Sequence, residues 1–270
     1  MPPLLHVDAF TAAPFAGNPA AVCFLDEARD ARWMQSVAAE MNLSETAFLV
    51  PPASGDATDA WSLRWFSPSV EIDLCGHATL ASAHALWETE RIPRGSRARF
   101  DTRSGELGAA RAGDLIELDF PASSLAPVAD ADAAPVRAAI GVDAQHPVLR
   151  TKFDYFVELA DEGAVLAYEP DVVAFRSIHA RGVIVTAAAK RSDADFVSRF
   201  FAPGAGIDED PVTGSAHCAL APFWAARFGR TELTGYQASP RGGTVRVRVV
   251  GDRVMLGGHA VTVLRGELLV

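Results

Sequence analysis

The residues whose types and spacing suit proton chemistry begin with Glu45, in the run NLSETAF at positions 42–48. The alternation of a β-strand places Glu45 on the same face as Ala47 and Leu49. A carboxylate positioned among apolar neighbours can act as a general acid or base. Asn42 followed three residues later by Glu45 is also the pattern of a helix capping box. The β-rich residues and Pro51 that follow favour the strand, so we expect Glu45 to transfer protons.

Two glycines stand where predicted helices begin. Gly76 precedes a helix that starts at His77, and Gly214 precedes one that starts at Ser215. The first turn of a helix has unpaired backbone N–H groups and the positive end of a dipole, which attract anions. If the two halves of the chain face each other, both helix starts would converge on one cleft. The alternative is that these glycines only permit tight turns.

Two further side chains are candidates for substrate contacts. His77 at its helix start could donate a hydrogen bond to a substrate, or could satisfy local backbone groups. Asp210 precedes Pro211 and is therefore held extended, which would direct its side chain toward the helix start at Gly214. It could equally be a solvated loop acid beside Asp208 and Glu209.

Other kinds of chemistry fit the sequence less well. A metal site could be drawn from Cys75, His77, His217 and Cys218, but their spacing matches no common zinc pattern. Ser215 is not in a Gly-x-Ser-x-Gly nucleophile elbow, and a hydrolase is disfavoured because His217, two positions along the helix, would face away from it. The sequence has neither a dinucleotide-binding glycine motif nor a P-loop. We therefore predict no metal and no cofactor.

The elements that must position these residues can be predicted from periodicity. Asp30 caps a helix that Asn42 ends, since Trp33, Met34 and Val37 form an apolar stripe. A final hairpin is expected to turn at Gly266. The other predicted helices are 77–90, 193–200 and 215–228, the last kinked at Pro222, and the predicted strands are 4–10, 20–25, 45–50, 61–66, 70–74, 98–102, 115–120, 155–159, 182–186, 245–249 and 254–256.

The length of 270 residues suits two domains better than one. Residues 121–135 are rich in Ala, Pro, Ser and Asp and are the best linker candidate. We predict domains at 1–120 and 121–270, with the last strand able to pack on the first domain. Each half has a Gly at a helix start and a Trp about one helix length later, Trp87 and Trp224, which suggests a weak internal duplication.

Composition limits the partners of this chain. The formal net charge of −10 would repel a phosphate backbone, so nucleic acid is not expected. The longest apolar stretches fall far short of the roughly 20 residues of a membrane helix, and the first residues lack the pattern of a signal peptide. Three cysteines cannot form a disulfide framework, which favours a reducing cytoplasm.

Seven stretches in order along the chain resemble the PhzF-like family, relatives of diaminopimelate epimerase. The resemblance implies two similar α/β domains, each a β-roll around a central helix, with the active site in the cleft between them. It also implies a homodimer and no cofactor. The stretches are HVDAF (6–10), FAGNP (15–19), NLSETAF (42–48), CGHAT (75–79), RFFAP (199–203), EDPVTGSA (209–216) and GGHAV (257–261).

By motif match, Glu45 takes the acid/base position of the family. His77, Asp210 and Ser215 fall at positions expected to contact substrate, Gly76 and Gly214 lie at the two helix starts, and Asn18 is a further binding position.

One departure from diaminopimelate epimerase bears on mechanism. That enzyme uses two cysteines on opposite faces of the carbon it inverts. Cys75 precedes Gly76 as one such thiol would, but residues 210–215 contain no cysteine and Cys218 lies inside the following helix. A two-thiol racemase is therefore disfavoured.

The prediction is a cofactor-independent isomerase in which Glu45 moves a proton between carbons of a small carboxylate-bearing substrate. Two alternatives stay open. The first is an amino-acid epimerase that uses Cys75 with a nonthiol partner, and the second is a non-catalytic protein that binds a small molecule.

Overall fold

The two ends of the chain meet in one sheet of this computed structural model, which describes residues 1–56 and 58–270. The chain forms two compact units, one made of Met1–Asp119 with Leu256–Val270 and the other of Phe120–Met255. In the first unit the last strand pairs antiparallel with the first, from Pro3 opposite Glu267 to Ala9 opposite Ala260. The fold is mixed α/β with many strands and few helices, which confirms the predicted class.

The elements of the first unit surround one buried helix. They are β1 (Pro3–Ala9), β2 (Asn18–Phe24), α1 (Ala31–Met41), β3 (Glu45–Val50), β4 (Trp61–Phe66), β5 (Glu71–Ile72), α2 (Gly76–Glu88), β6 (Ala98–Thr102), β7 (Gly105–Ala112) and β8 (Leu115–Pro121), together with the last strand of the chain. Helix α2 is apolar on nearly every side and packs against β1, β2 and β3. A helix that is hydrophobic all round is a core helix, and α2 is the core of this unit.

The strand that begins with Glu45 lies between two neighbours. β3 pairs parallel with β2, with Ala20 opposite Glu45, and antiparallel with β4, with Thr46 opposite Phe66. The parallel β2–β3 pair is joined through helix α1, which Asp30 caps by accepting a hydrogen bond from the backbone of Trp33. Five of the six residues of β3 are buried, so both faces of this strand are covered. This burial extends to Glu45 itself.

The second unit repeats the plan of strands with one buried helix. Its elements are β9 (Ala126–Pro127), α3 (Asp130–Ile140), β10 (Leu149–Arg150), β11 (Asp154–Glu158), α4 (Glu162–Leu166), α5 (Val172–Arg176), β12 (Gly182–Ala188), β13 (Phe196–Phe201), α6 (Gly214–Phe228), β14 (Glu232–Gln237), β15 (Gly243–Val250), β16 (Arg253–Gly258) and β17 (Ala260–Glu267), the last of which belongs to the first unit. β13 pairs antiparallel with β12 and parallel with β14. Helix α6 packs against β14 and β15.

Several predicted elements are confirmed, and the strands 45–50, 61–66 and 98–102 have the predicted bounds. The predicted helix at 193–200 is wrong, because most of strand β13 lies in this segment. All six residues of β13 are buried, including the polar Ser198 and Arg199, so its sequence has no alternation of apolar and polar residues from which to recognise a strand. The predicted strand at 70–74 is reduced to Glu71–Ile72.

The expected linker at 121–135 is also wrong in its local structure. It contains β9 and the first half of α3, in which Pro135 is an internal residue. Ala133, Val136 and Ile140 are buried at helical spacing, and this burial outweighs the cost of the proline. The predicted hairpin at Gly266 is wrong as well, since Gly266 lies within β17 opposite Leu4.

The turn between β1 and β2 holds its residues in unusual backbone conformations. Phe10, Phe15 and Gly17 all have positive φ angles, of 62°, 68° and 64°. The buried carboxylate of Asp8 accepts a hydrogen bond from the backbone N–H of Phe15 at 2.7 Å. A Cβ atom added to Gly17 would lie 2.1 Å from the carbonyl oxygen of Ala9. Only glycine fits at position 17, and the turn therefore fixes where Asn18 begins β2.

No helix in the described ranges 1–56 and 58–270 combines the length and the apolar composition needed to cross a membrane.

We expect Gly17→Ala to destabilise the protein more than Gly251→Ala. Both glycines have φ near +60°, where an alanine costs about 1–2 kcal/mol. Only Gly17 carries the additional clash, since within the described residues no atom lies within 4 Å of a Cβ at Gly251. Urea unfolding of both variants measures the difference. Equal losses of unfolding free energy would show that the carbonyl of Ala9 moves away at little cost.

Candidate active site

Glu45 is a buried carboxylate at the first position of a strand. Its side chain is about nine-tenths buried. The strand that carries it, β3, lies between β2 and β4. Charged side chains are rarely buried without a partner or a function. The capping-box alternative is wrong, because Glu45 lies in β3 and Asn42 ends helix α1 in the left-handed conformation.

The partner of Glu45 is His77, the second residue of α2. The Nε2 atom of His77 lies 3.0 Å from the Oε2 atom of Glu45, and both side chains are buried. The two atoms are close but not aligned for a hydrogen bond, and neither has an aligned hydrogen-bond partner elsewhere in the described part of the chain. Buried polar atoms are rarely left unsatisfied, so a pair of them is typical of a site that a ligand completes.

The other nitrogen of His77 is contacted by two residues. The amide Nδ2 of Asn18 lies 3.1 Å from Nδ1, and the thiol sulfur of Cys75 lies 3.5 Å from it. Both groups are donors, so Nδ1 accepts and the neutral ring carries its proton on Nε2, toward Glu45. Asn18 was predicted to contact substrate. The structure places its amide nitrogen on the histidine.

Burial and charge act in opposite directions on His77. Burial lowers the pKa of the imidazole, but the charge and hydrogen-bond interactions with Glu45 and Cys75 outweigh this effect and raise the pKa well above its ordinary value. Burial, and then the nearby Glu45 carboxylate, raise the pKa of the Cys75 thiol. Cys75 is therefore a neutral thiol near pH 7, and Glu45 is the charge that favours protonation of His77 there. A protonated ring donates from both nitrogens, which requires Asn18 to present its carbonyl oxygen to Nδ1.

Helix α2 begins without a side-chain cap. Cys75 is the N-cap residue in an extended conformation, and its side chain makes no capping hydrogen bond to any described residue. The helix start therefore offers uncapped N–H groups and a positive dipole beside the Glu45–His77 pair.

In the second unit, Asp210 lies just before the start of α6. It is buried, and its Oδ2 atom accepts a hydrogen bond from the hydroxyl of Thr213 at 2.5 Å. The alternative of a solvated loop acid is therefore wrong for Asp210, whereas Asp208 beside it is exposed. Thr213 is the N-cap of α6, and its side chain makes no capping hydrogen bond with the residues described.

Ser215, the second residue of α6, contacts a cation that the sequence did not reveal. The guanidinium of Arg181 donates to the Ser215 hydroxyl at 3.0 Å. The same guanidinium forms a bidentate pair with the buried carboxylate of Asp154, whose Oδ1 is 2.8 Å from Nε. Arg181 lies 34 positions from Ser215 and in no quoted motif. The parallel pairing of β11 with β12 brings Asp154 opposite Gly182, the residue after Arg181. Knowledge of that pairing would have indicated the contact between Arg181 and Asp154.

The predicted metal candidates divide between the units. His77 and Cys75 gather with Glu45, and one ligand atom from each lies within 4.8 Å of the others. Oxygen, nitrogen and sulfur donors of this kind suit zinc. His217 and Cys218 contact the backbone of their own helix, at Thr213 and Gly214. Burial lowers the pKa of His217 to about 4, which keeps this histidine neutral.

The chain has a mixed α/β fold in which a buried acid, at the start of a strand, lies beside the start of a helix. The structure resembles a hydroxyproline epimerase from Agrobacterium vitis with a TM-score of 0.63, at 12% identity over 98% of this chain and 91% of that one. At that identity the likeness concerns the fold alone.

Sequence comparison defines the family more closely. The family model described as phenazine biosynthesis-like protein, PhzC-PhzF, matches residues 7–266, and the chain belongs to this family. An uncharacterized isomerase from Halalkalibacterium halodurans is 48% identical over 99% of this chain and 98% of its own length. One from Pseudomonas aeruginosa is 47% identical over 98% of both chains. A PhzF family structure from Enterococcus faecalis matches with a TM-score of 0.89 at 39% identity, over 100% of this chain and 99% of that one. These findings support the assignment of the chain as an isomerase.

We expect the pKa values of the two buried histidines to be shifted in opposite directions from the ordinary value. In an NMR titration His77 should stay protonated above pH 6.5, whereas His217 should stay neutral until about pH 4. The stabilisation from protonated His77 is then complete below pH 6.5 and lost as the pH rises through its raised pKa. Glu45→Gln should lower the pKa of His77 and leave that of His217 unchanged. A His77 that titrates below pH 6.5 in the unsubstituted protein would contradict the ion pair.

Proposed function

We propose that this isomerase moves a proton between two carbons of a small carboxylate-bearing substrate, with Glu45 as the single acid/base and without a cofactor. The observation that carries the proposal is the contact between Oε2 of Glu45 and Nε2 of His77. Neither atom has an aligned hydrogen-bond partner in the described residues, so this buried oxygen of the carboxylate is not used in a structural hydrogen bond. A general base needs this state, because its lone pair must be available to a C–H proton.

His77 has a supporting role in this proposal. An imidazole protonated on Nε2 places an N–H group 3.0 Å from the Oε2 atom of Glu45. The same N–H group can donate to an oxygen of the substrate on which negative charge develops. The uncapped start of α2 adds backbone donors at Gly76 and His77. Preorganised donors of this kind supply much of the rate enhancement in many enzymes.

For the second unit we propose that Asp210, Gly214 and Ser215 contact the substrate, with Arg181 as an additional binding group. The support is local to that unit. The N-cap side chain of α6 makes no capping hydrogen bond in the described structure. The guanidinium of Arg181 donates a hydrogen bond to the Ser215 hydroxyl. Both features favour a carboxylate. The expected cleft, the homodimer and the cytoplasmic location stay predictions.

The epimerase alternative has one observation in its favour, the presence of Cys75 in the same cluster at 3.5 Å from His77. A thiolate would be the reactive form. The raised pKa of Cys75 opposes formation of this thiolate. We therefore favour the carboxylate as the base.

The substrate can be sought by incubating the protein with a metabolite extract in deuterated water. The expected result is a compound that gains one deuteron only when the protein is present. Inversion at a stereocentre without bond migration would indicate the epimerase instead. Tight binding of a metabolite without any deuterium exchange would indicate a non-catalytic protein.

Two nearly isosteric substitutions separate the two bases. Glu45→Gln removes the proton acceptor, and we expect deuterium exchange into the substrate to fall about 10²- to 10⁴-fold. Cys75→Ser should change the rate by less than about threefold, because the contact of the thiol with His77 is weak, at 3.5 Å. The rate of exchange is measured by mass spectrometry of the labelled compound.

The matched control is Glu40→Gln, which makes the same change at an exposed position of α1. Circular dichroism and thermal melting must show that each variant is folded. A folded Glu45→Gln protein with the exchange rate of the unsubstituted chain would refute the mechanism. An inactive, folded Cys75→Ser protein would favour the epimerase.

A further inference from the structure

A fully buried glutamine, Gln237, contacts both ends of the turn that leads into α6. Its Nε2 atom donates to the carbonyl oxygen of Asp210 at 2.7 Å and to the hydroxyl of Thr213 at 3.1 Å. Its Oε1 atom accepts from the backbone N–H of Thr213 at 2.8 Å. Every polar atom of this carboxamide is therefore bonded to the 210–213 turn.

The carboxylate of Asp210 is oriented through the same contacts. The hydroxyl of Thr213 accepts from Gln237, and it then has its proton free to donate to Oδ2 of Asp210, at 2.5 Å. The hydroxyl of Ser239, two residues beyond Gln237, donates to the carbonyl of Pro211 at 2.9 Å. The end of β14 and the residues after it thus hold the turn through side chains.

The chemistry at position 237 is specific to a carboxamide. It supplies one acceptor and two donor hydrogens in one plane, which the turn uses at Thr213 and Asp210. A glutamate would keep an acceptor and lose both donors. Its carboxylate would also attract the proton of the Thr213 hydroxyl and draw it away from Asp210. A leucine would lose the acceptor as well.

We propose that Gln237 is a positioning residue for the isomerase reaction. It orients the carboxylate of Asp210 and fixes the backbone at the start of α6, where Gly214 and Ser215 lie. This inference rests on the proposed function, in which those three residues contact the substrate. Gln237 itself is fully buried and acts only through the turn.

The first arm of the test needs no substrate. Hydrogen exchange is followed by mass spectrometry in peptides that cover residues 209–216. Gln237→Leu should speed exchange of the Thr213 amide roughly tenfold, since its hydrogen bond is lost. Gln237→Glu should keep that amide protected, because an acceptor remains. The control is Leu233→Ala, a buried position in the same strand opposite Val247, which should lower the melting temperature without speeding exchange in 209–216.

The second arm measures turnover of the compound labelled in the deuterium screen. Both Gln237 variants should lose kcat/KM by about 10- to 100-fold, the effect of a misplaced group at a site. Leu233→Ala should keep the kcat/KM of the unsubstituted protein at temperatures where it is folded. A purely structural role for Gln237 would instead lower the melting temperature and leave the turnover of the folded fraction unchanged.

The two arms have separable outcomes. Exchange in 209–216 that is equal in Gln237→Leu and the unsubstituted protein overturns the inference, and so does turnover within twofold in both Gln237 variants. Faster exchange in Gln237→Leu together with lost turnover in both variants supports it. Failure of the Glu45 mechanism is read from Glu45→Gln alone and does not alter the exchange result.

Discussion

The contact between a buried carboxylate and a buried imidazole is the constraint on which the first unit depends. Glu45 and His77 meet at 3.0 Å although 32 positions separate them in sequence. Taking an ion pair out of water costs on the order of several kcal/mol per ion, and the pair recovers this only with good geometry and further hydrogen bonds. Here the Nδ1 atom of His77 has two contacts, with Asn18 and Cys75, whereas the Nε2 atom has no aligned hydrogen bond among the described residues. A buried ring with contacts at one nitrogen and no aligned hydrogen bond at the other contributes little to stability. It is suited to binding a reacting group.

The surrounding fold can be understood as support for that contact. Parallel pairing of β2 with β3 brings Asn18 and Glu45 to neighbouring strand starts, with Ala20 opposite Glu45. The turn before β2 stores strain at Phe10 and Phe15, each of which has a left-handed backbone. Strain of this kind costs about 1–3 kcal/mol per residue and persists only where neighbouring contacts hold it. The turn is the segment that sets the position of Asn18, and through it the orientation of the histidine ring.

Local sequence predicted the strand that begins with Glu45 and the two helix starts, but not the contacts that orient their side chains. β3 could be assigned with its bounds because Glu45 to Val50 is a β-rich run closed by prolines, and Asp30 and Asn42 are ordinary caps for α1. Arg181, Gln237 and the Asn18–His77 contact could not be found in this way. Each depends on strand pairing between distant segments, for which a single sequence gives no periodic signal. The errors at 193–200 and 121–135 have the same origin, since burial in the folded unit decided the structure against local polarity and against Pro135.

The two helix starts have a similar backbone and different chemistry. Both α2 and α6 begin at a glycine after an extended N-cap, and neither N-cap side chain bonds to its helix among the residues described. The carboxylate of Glu45 and the imidazole of His77 lie beside the start of α2. Beside the second start lies the Arg181 guanidinium, held by Asp154, on the hydroxyl of Ser215. Because the backbone is arranged in the same way at both helix starts, it gives both the same affinity for anions. Any difference in what the two starts bind must come from the side chains that the strands bring to each. The proposed function accordingly places proton transfer in the first unit and recognition of charge in the second.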